Sequence, residues 1–173
     1  ITWDGRGEAG DTVLSAEDYP YRFTATDALG LSAVKTGVLP VDVLVIRDGD
    51  KLKIQIANIT FAPNSPAFVT DDPAVVEKNI YVIRRIAEIL QKYRSYEITI
   101  EGHAVNLSWA NPAAMEREEK EELLDLSRNR AQTVKDQLVA LGVDAGRIHV
   151  LGLGGTRPLD PHGDLENRWK NRR

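Results

Sequence analysis

Apolar side chains alternate with polar ones over the first third of the chain. Tyr21, Phe23 and Ala25 are separated by polar neighbours, the period-2 pattern of a half-buried strand, and Asp27 with Gly30 closes that strand with a turn. Pro40 marks a boundary. Beyond it Val41, Val43 and Val45 alternate, Asp48 and Gly49 supply a hairpin turn of the primed type, and Leu52, Ile54 and Ile56 alternate on the return. The alternation then changes phase to Ile59 and Phe61, which one extra residue near Ala57 or Asn58 would produce as a β-bulge.

The period lengthens after residue 70. Asp72 followed by Pro73 is a helix start, and Val76, Ile80, Ile83, Ala87 and Leu90 form one apolar stripe over residues 74–93. Ile98 and Ile100 alternate with Glu97, Thr99 and Glu101 in a short strand that Gly102 releases into a loop. A charge run over residues 115–122 reads as an exposed helical turn. Leu124, Ala131, Val134, Leu138 and Leu141 then set a second amphipathic helix, with Gly142 placed to end it in the left-handed conformation. Residues 147–151 make a last short strand that Gly152, Gly154 and Gly155 turn away.

From residue 50 the order is therefore β-α-β-α-β, with connections long enough for right-handed crossovers. The expected fold class is α+β: a mixed sheet with two helices on one face, preceded by a small all-β segment. The expected domains are residues 1–40 and 41–173.

Composition narrows the functions. With 42% hydrophobic residues in 173 the chain can bury a core, and a net charge of -4 argues against gripping nucleic acid by its phosphates. The basic run over residues 168–173 is short and reads as a solvated tail. Cysteine is absent, so there is no disulfide framework, thiolate metal site or Cys nucleophile. No apolar run approaches the roughly 20 residues that span a bilayer. The chain opens on Ile1 rather than on a Met and signal peptide, so an excised piece is expected, with any export signal or anchor outside it.

Catalytic and cofactor motifs are missing. Gly152, Gly154 and Gly155 lack the Lys and Ser or Thr of a phosphate-cradling loop, and His103, His149 and His162 lack metal-ligand spacing. No Gly-x-Ser-x-Gly occurs, and Ser127 falls inside a helical pattern. Neither enzyme activity, a cofactor nor a metal is expected. A hydrolase built on two close carboxylates remains a third reading, which raised carboxylate pKa values in a cleft would support.

Several motifs carry a resemblance. Ile59, Phe61, Asn64 and Ser65; Ile98, Ile100, Gly102 and His103; Leu126, Ser127, Arg130 and Ala131; Gly152, Gly154 and Pro158; and Asn171, Arg172 and Arg173 resemble, in this order, the OmpA-like C-terminal domain. The match covers residues 50–173. Trp3, Asp4, Gly5, Gly10, Tyr19, Tyr21, Phe23, Asp27 and Gly30 resemble the last strands of the immunoglobulin-like domain of flagellar hook-capping proteins. That second likeness implies half a sandwich, with exposed strand edges.

The OmpA-like resemblance implies a noncatalytic module that binds peptidoglycan in the periplasm, associated with the outer membrane, and that has an envelope protein as a further partner. In that family an Asp after Gly-His-Thr and an Arg after Leu-Ser hold the amino and carboxylate ends of a stem-peptide diamino acid, which suits carboxylate-to-ammonium and bidentate guanidinium chemistry. Arg130 matches the Arg. Val105 stands where the Asp is expected, Leu123 where an Asn is usual, and Asn64 where an Asp is common. The ligand-binding candidates are Arg130, Asn64, Ser65, Asn106 and Arg173. Losing one charge-assisted hydrogen bond, about 1.5 to 3 kcal/mol, would weaken stem-peptide binding by about one to two orders of magnitude. An acid of the inserted segment, Glu121, Glu122 or Asp125, is a candidate replacement. Two readings stay open: altered peptidoglycan binding, or a degenerate OmpA-like fold that serves as a structural or interaction module.

Overall fold

The computed structural model describes residues 13, 17–41, 45–48, 51–54, 56 and 59–173. The chain divides into two compact units, residues 1–57 and 58–173. The bulge expected near Ala57 or Asn58, the turn at Gly49, and Trp3, Asp4, Gly5 and Gly10 lie outside the described residues.

In the first unit, β1 (Glu17–Thr26) pairs antiparallel with β2 (Ser32–Val41) along their whole length. Asp27 shapes the turn between them: its Oδ1 accepts the N–H groups of Leu29 and Leu31 at 2.8 and 2.9 Å, and Gly30 takes φ +85°, which a side chain would oppose. Pro40 does not end the strand; it pairs with Asp18 inside β2, as Pro20 pairs with Val38. Asp27 N bonds Leu31 O at 2.9 Å, so alternation along the ladder turns the nitrogens of both prolines outward, where no ladder bond is lost. A second ladder joins β3 (Val45–Asp48) to β4 (Lys51–Ile54), Asp48 opposite Lys51. Among the described residues, neither ladder gains a third strand.

The second unit begins with a segment tied to a helix. α1 (Pro73–Lys92) is capped by Asp72, whose carboxylate accepts from Ala74 N and Val75 N. Asn79, buried on α1, exchanges two hydrogen bonds with the Thr60 backbone at 2.9 and 2.8 Å and pins the incoming chain to the helix. At the other end Arg147, also buried, donates to the carbonyls of Tyr93 (2.9 Å), Tyr96 (3.0 Å) and Leu90, closing the helix C-terminus with a cation.

The core sheet is parallel: β5 (Ile98–Gly102) runs beside β6 (Ile148–Gly152), with Ile98 opposite Ile148 and Gly102 opposite Gly152. α2 (Pro112–Glu118) passes through a π-helical turn, Glu119–Leu123, into α3 (Leu124–Ala140). α3 lies across both strands and against α1. The close crossing needs the two paired glycines: a Cβ on Gly102 would strike the Ser127 carbonyl, and one on Gly152 would stand 2.5 Å from Leu124 O. Leu138, Ile148 and Val82 are the most completely buried aliphatic side chains. Gly142 ends α3 with φ +90°, as its position after the apolar stripe requires.

The fold is thus α+β with two long helices, but its described strands form three separate two-stranded sheets rather than one mixed sheet. Two stripe positions also differ from expectation. Ile80 and Leu141 are 46% and 38% exposed, and with Phe68, Val76 and Ala140 they line a shallow groove of about 240 Å³. Periodicity places a residue on the inner face of a helix but does not say where the covering layer stops.

Candidate functional site: one helix between three loops

Three loops meet the helix formed by α2, the π-turn and α3, and each holds part of the expected site. The first is the loop over residues 61–68, drawn together by an isolated Phe61–Phe68 bridge with ring centroids 5.1 Å apart. Arg130 reaches it from α3. Its Nε donates to Ser65 O at 2.9 Å, its Nη2 to Ala62 O at 3.3 Å, and its guanidinium lies over the Phe61 ring at 5.1 Å. Burial pushes its pKa below the ordinary arginine value, and Arg172 pushes the same way. No carboxylate among the described residues pairs with Arg130.

The structure therefore joins Arg130 to Ser65, but through the Ser65 carbonyl. The Ser65 hydroxyl accepts from Ala67 N at 3.0 Å within the loop. Asn64 is exposed at the loop tip with φ +48°, a left-handed conformation that Asn tolerates better than most residues.

Arg173 and Asn106 belong to two other clusters. Asn171 fixes the chain end by accepting from Leu159 N and Asp160 N and donating to Asp160 O. Arg173 then donates to Arg157 O at 3.0 Å, and its own carbonyl accepts from His103 N at 2.8 Å. His103, buried beside Glu101 at 3.6 Å, has its pKa lowered to about 4. Burial is the main cause, the Arg173 charge adds to it, and Glu101 opposes it.

Asn106 is wholly buried at the far end of the loop that β5 feeds. Its Nδ2 donates to Met115 O at 3.0 Å, its backbone N–H to His162 Nδ1 at 3.3 Å, and its Oδ1 has no partner. His162 Nε2 lies 2.8 Å from Gly155 O, so this ring donates from Nε2 and accepts at Nδ1. Between these clusters Val105 and Ala104 are buried, 6% and 4% exposed. The side chain expected to carry the ligand acid packs as part of the core.

The inserted segment does deliver acids to the loops, but not those singled out by sequence. Glu121, Glu122 and Asp125 lie on the exposed face of the helix. Glu118 accepts from Leu107 N and Ser108 N at 3.0 and 2.8 Å, and both oxygens of Glu119 accept from Gly155 N. Burial works to raise the Glu118 pKa, yet those hydrogen bonds outweigh it and leave it below the ordinary carboxylate value. No signal in the sequence marked Glu118 and Glu119 out from their acidic neighbours, because the turn that aims them, Glu119–Leu123, is π-helical. Among the described residues, no group of three or more His, Asp or Glu could hold a metal ion, and no helix is long and apolar enough to cross a membrane.

The second unit is thus an α+β unit in which two parallel strands, crossed closely by one helix at paired glycines, support polar loops. The chain belongs to the OmpA family, whose model matches residues 60–172. It is 31% identical over 140 residues to outer membrane porin F of Pseudomonas aeruginosa, covering 67% of this chain and 37% of that one. To the peptidoglycan-associated lipoprotein of Rhizobium meliloti it is 33% identical over 106 residues, 61% of this chain and 54% of that one. The chain thus spans about half or less of the length of these curated relatives. The crystal structure of the periplasmic domain of Helicobacter pylori MotB superposes with a TM-score of 0.53 at 25% identity, covering 86% of this chain and 82% of that one.

Proposed function

We propose that this chain binds peptidoglycan in the periplasm, with Arg130 taking a stem-peptide carboxylate and with recognition weakened or altered because Val105 replaces the family's acid. The observation that carries this reading is the electrostatic state of Arg130. Its guanidinium is half-buried, lies near a second guanidinium from Arg172, and has no acid beside it among the described residues. A cation held in that state is stabilised by an incoming anion more than an exposed one would be, because water screens it less. A carboxylate answers that need bidentately.

One observation favours the second reading, a fold kept as a structural or envelope-protein interaction module. Arg130 already bonds two loop carbonyls, so it has work in the absence of ligand. Pelleting with purified sacculi separates the two. The binding reading expects the native chain to pellet and Arg130→Ala to stay in solution, while a chain that remains in solution at every sacculus concentration supports the structural reading.

A further inference from the structure

Four residues past Val105, on the loop that β5 feeds, stands a large aromatic side chain, Trp109, that is 46% exposed. The loop around it is fixed on both sides. Before it, Asn106 is wholly buried, and Leu107 N and Ser108 N donate to the Glu118 carboxylate at 3.0 and 2.8 Å. After it, Asn111 N donates to Ser108 O at 2.9 Å, and the Asn111 side chain caps α2 by accepting from Ala114 N.

The ring rests on a second fixed loop. A Cβ added to Gly163 would stand 3.0 to 3.2 Å from three carbons of the six-membered ring of Trp109. Gly163 is not in the left-handed region, so its backbone does not call for glycine; the close approach of the ring does. The neighbouring His162 accepts from Asn106 N at 3.3 Å and lies 2.8 Å from Gly155 O, and Asp164 N donates to Pro161 O at 2.9 Å. A broad apolar surface is thereby held in place before any ligand arrives, so little ordering remains to be done on binding.

The local charge narrows what could cover it. Residues 115–122, which follow closely in the chain, set five glutamates against Arg117 and Lys120, and such a segment repels an anionic phospholipid surface. An uncharged ligand with a flat apolar face suits the ring better. A pyranose has one: its C–H groups, slightly positive, stack on the negative face of the indole while its hydroxyls stay in water. We propose that Trp109 is a stacking platform for an N-acetylated amino sugar of the peptidoglycan glycan strand, distinct from the stem-peptide contact of Arg130. This rests on the peptidoglycan-binding reading above.

The test pairs purified sacculi with the N-acetylglucosamine tetramer, which carries the sugar and no peptide. The tetramer should change the tryptophan fluorescence of the native chain; Trp109→Ala should abolish the change, and Trp169→Ala, at another exposed tryptophan, should keep it. On sacculi Trp109→Ala should bind about three- to tenfold more weakly than native. Trp109→Phe keeps a ring against Gly163, so it should match the native melting temperature and recover part of the affinity. A native chain that does not respond to the tetramer, or a response that survives Trp109→Ala, overturns the platform; if Arg130→Ala is still deficient on sacculi, the stem-peptide reading stands. Trp109-dependent binding to anionic phospholipid vesicles in place of the tetramer overturns it in favour of a membrane surface. A tetramer response without any binding to sacculi overturns the peptidoglycan reading and, with it, the source of the sugar.

Discussion

Arg147 and Arg130 each donate to more than one backbone carbonyl, and the regions around them differ in what is left over. Arg147 is 7% exposed and meets three carbonyls at the C-terminal end of α1. Its charge is answered by the helix end itself. Arg130 meets two carbonyls of a surface loop, remains half-buried, and among the described residues has the charge of Arg172 acting on it and no acid paired with it. Arg147 is thus tied to a helix end that suits a cation, whereas the carbonyls that Arg130 meets belong to a loop and leave its charge less compensated.

The contrast is sharpest in stability. Gly102→Ala should cost the most, about 3 kcal/mol or more, because the new Cβ meets helix backbone that has no free space to retreat into. Arg147→Ala should cost about 3 kcal/mol, since it strands three carbonyls beside a buried void. Urea denaturation would check both. If Arg130→Ala proved as destabilising as Arg147→Ala, the distinction between the two regions would be lost; about 1 kcal/mol is expected for Arg130→Ala.

Acid should act through His103. Its folded pKa, about 4, lies below the ordinary value of 6.5, so the neutral ring stabilises the fold above pH 6.5 and that contribution is lost as pH falls toward 4. The loss should be on the order of 3 kcal/mol. Arg173 and Arg157 press the pKa down while Glu101 holds it up. Denaturation midpoints of native chain and His103→Gln, compared between pH 7 and pH 4, should converge as the pH drops. A smaller effect belongs to the helix start: Asp72→Ala should cost about 1 kcal/mol through loss of the cap on Ala74 N and Val75 N, read as a lower melting temperature.

The parts legible in the sequence were those set by local chemistry. Asp72 with Pro73, Gly142 after the last apolar residue, and Asp27 with Gly30 each dictate a backbone conformation by themselves, and each appears where expected. Arg130 was legible because Leu126, Ser127 and Ala131 fix its place on the helix. Glu119 was not, because a π-turn shifts the phase of a charge run in which more than half of the residues are acidic, and nothing in such a run marks the shift. The exposure of Ile80 and Leu141 and the separation of the strands into three ladders depend on which surfaces meet across the fold, which no local pattern records.

The central claim is that Arg130 is kept for a ligand rather than for the fold. Its most direct measurement is the binding isotherm of Arg130→Ala on purified sacculi, taken together with its melting temperature. The expected result is a melting temperature within a few degrees of native and an affinity at least tenfold weaker. Unchanged affinity, or a loss of binding only under conditions where the variant has already unfolded, would contradict it.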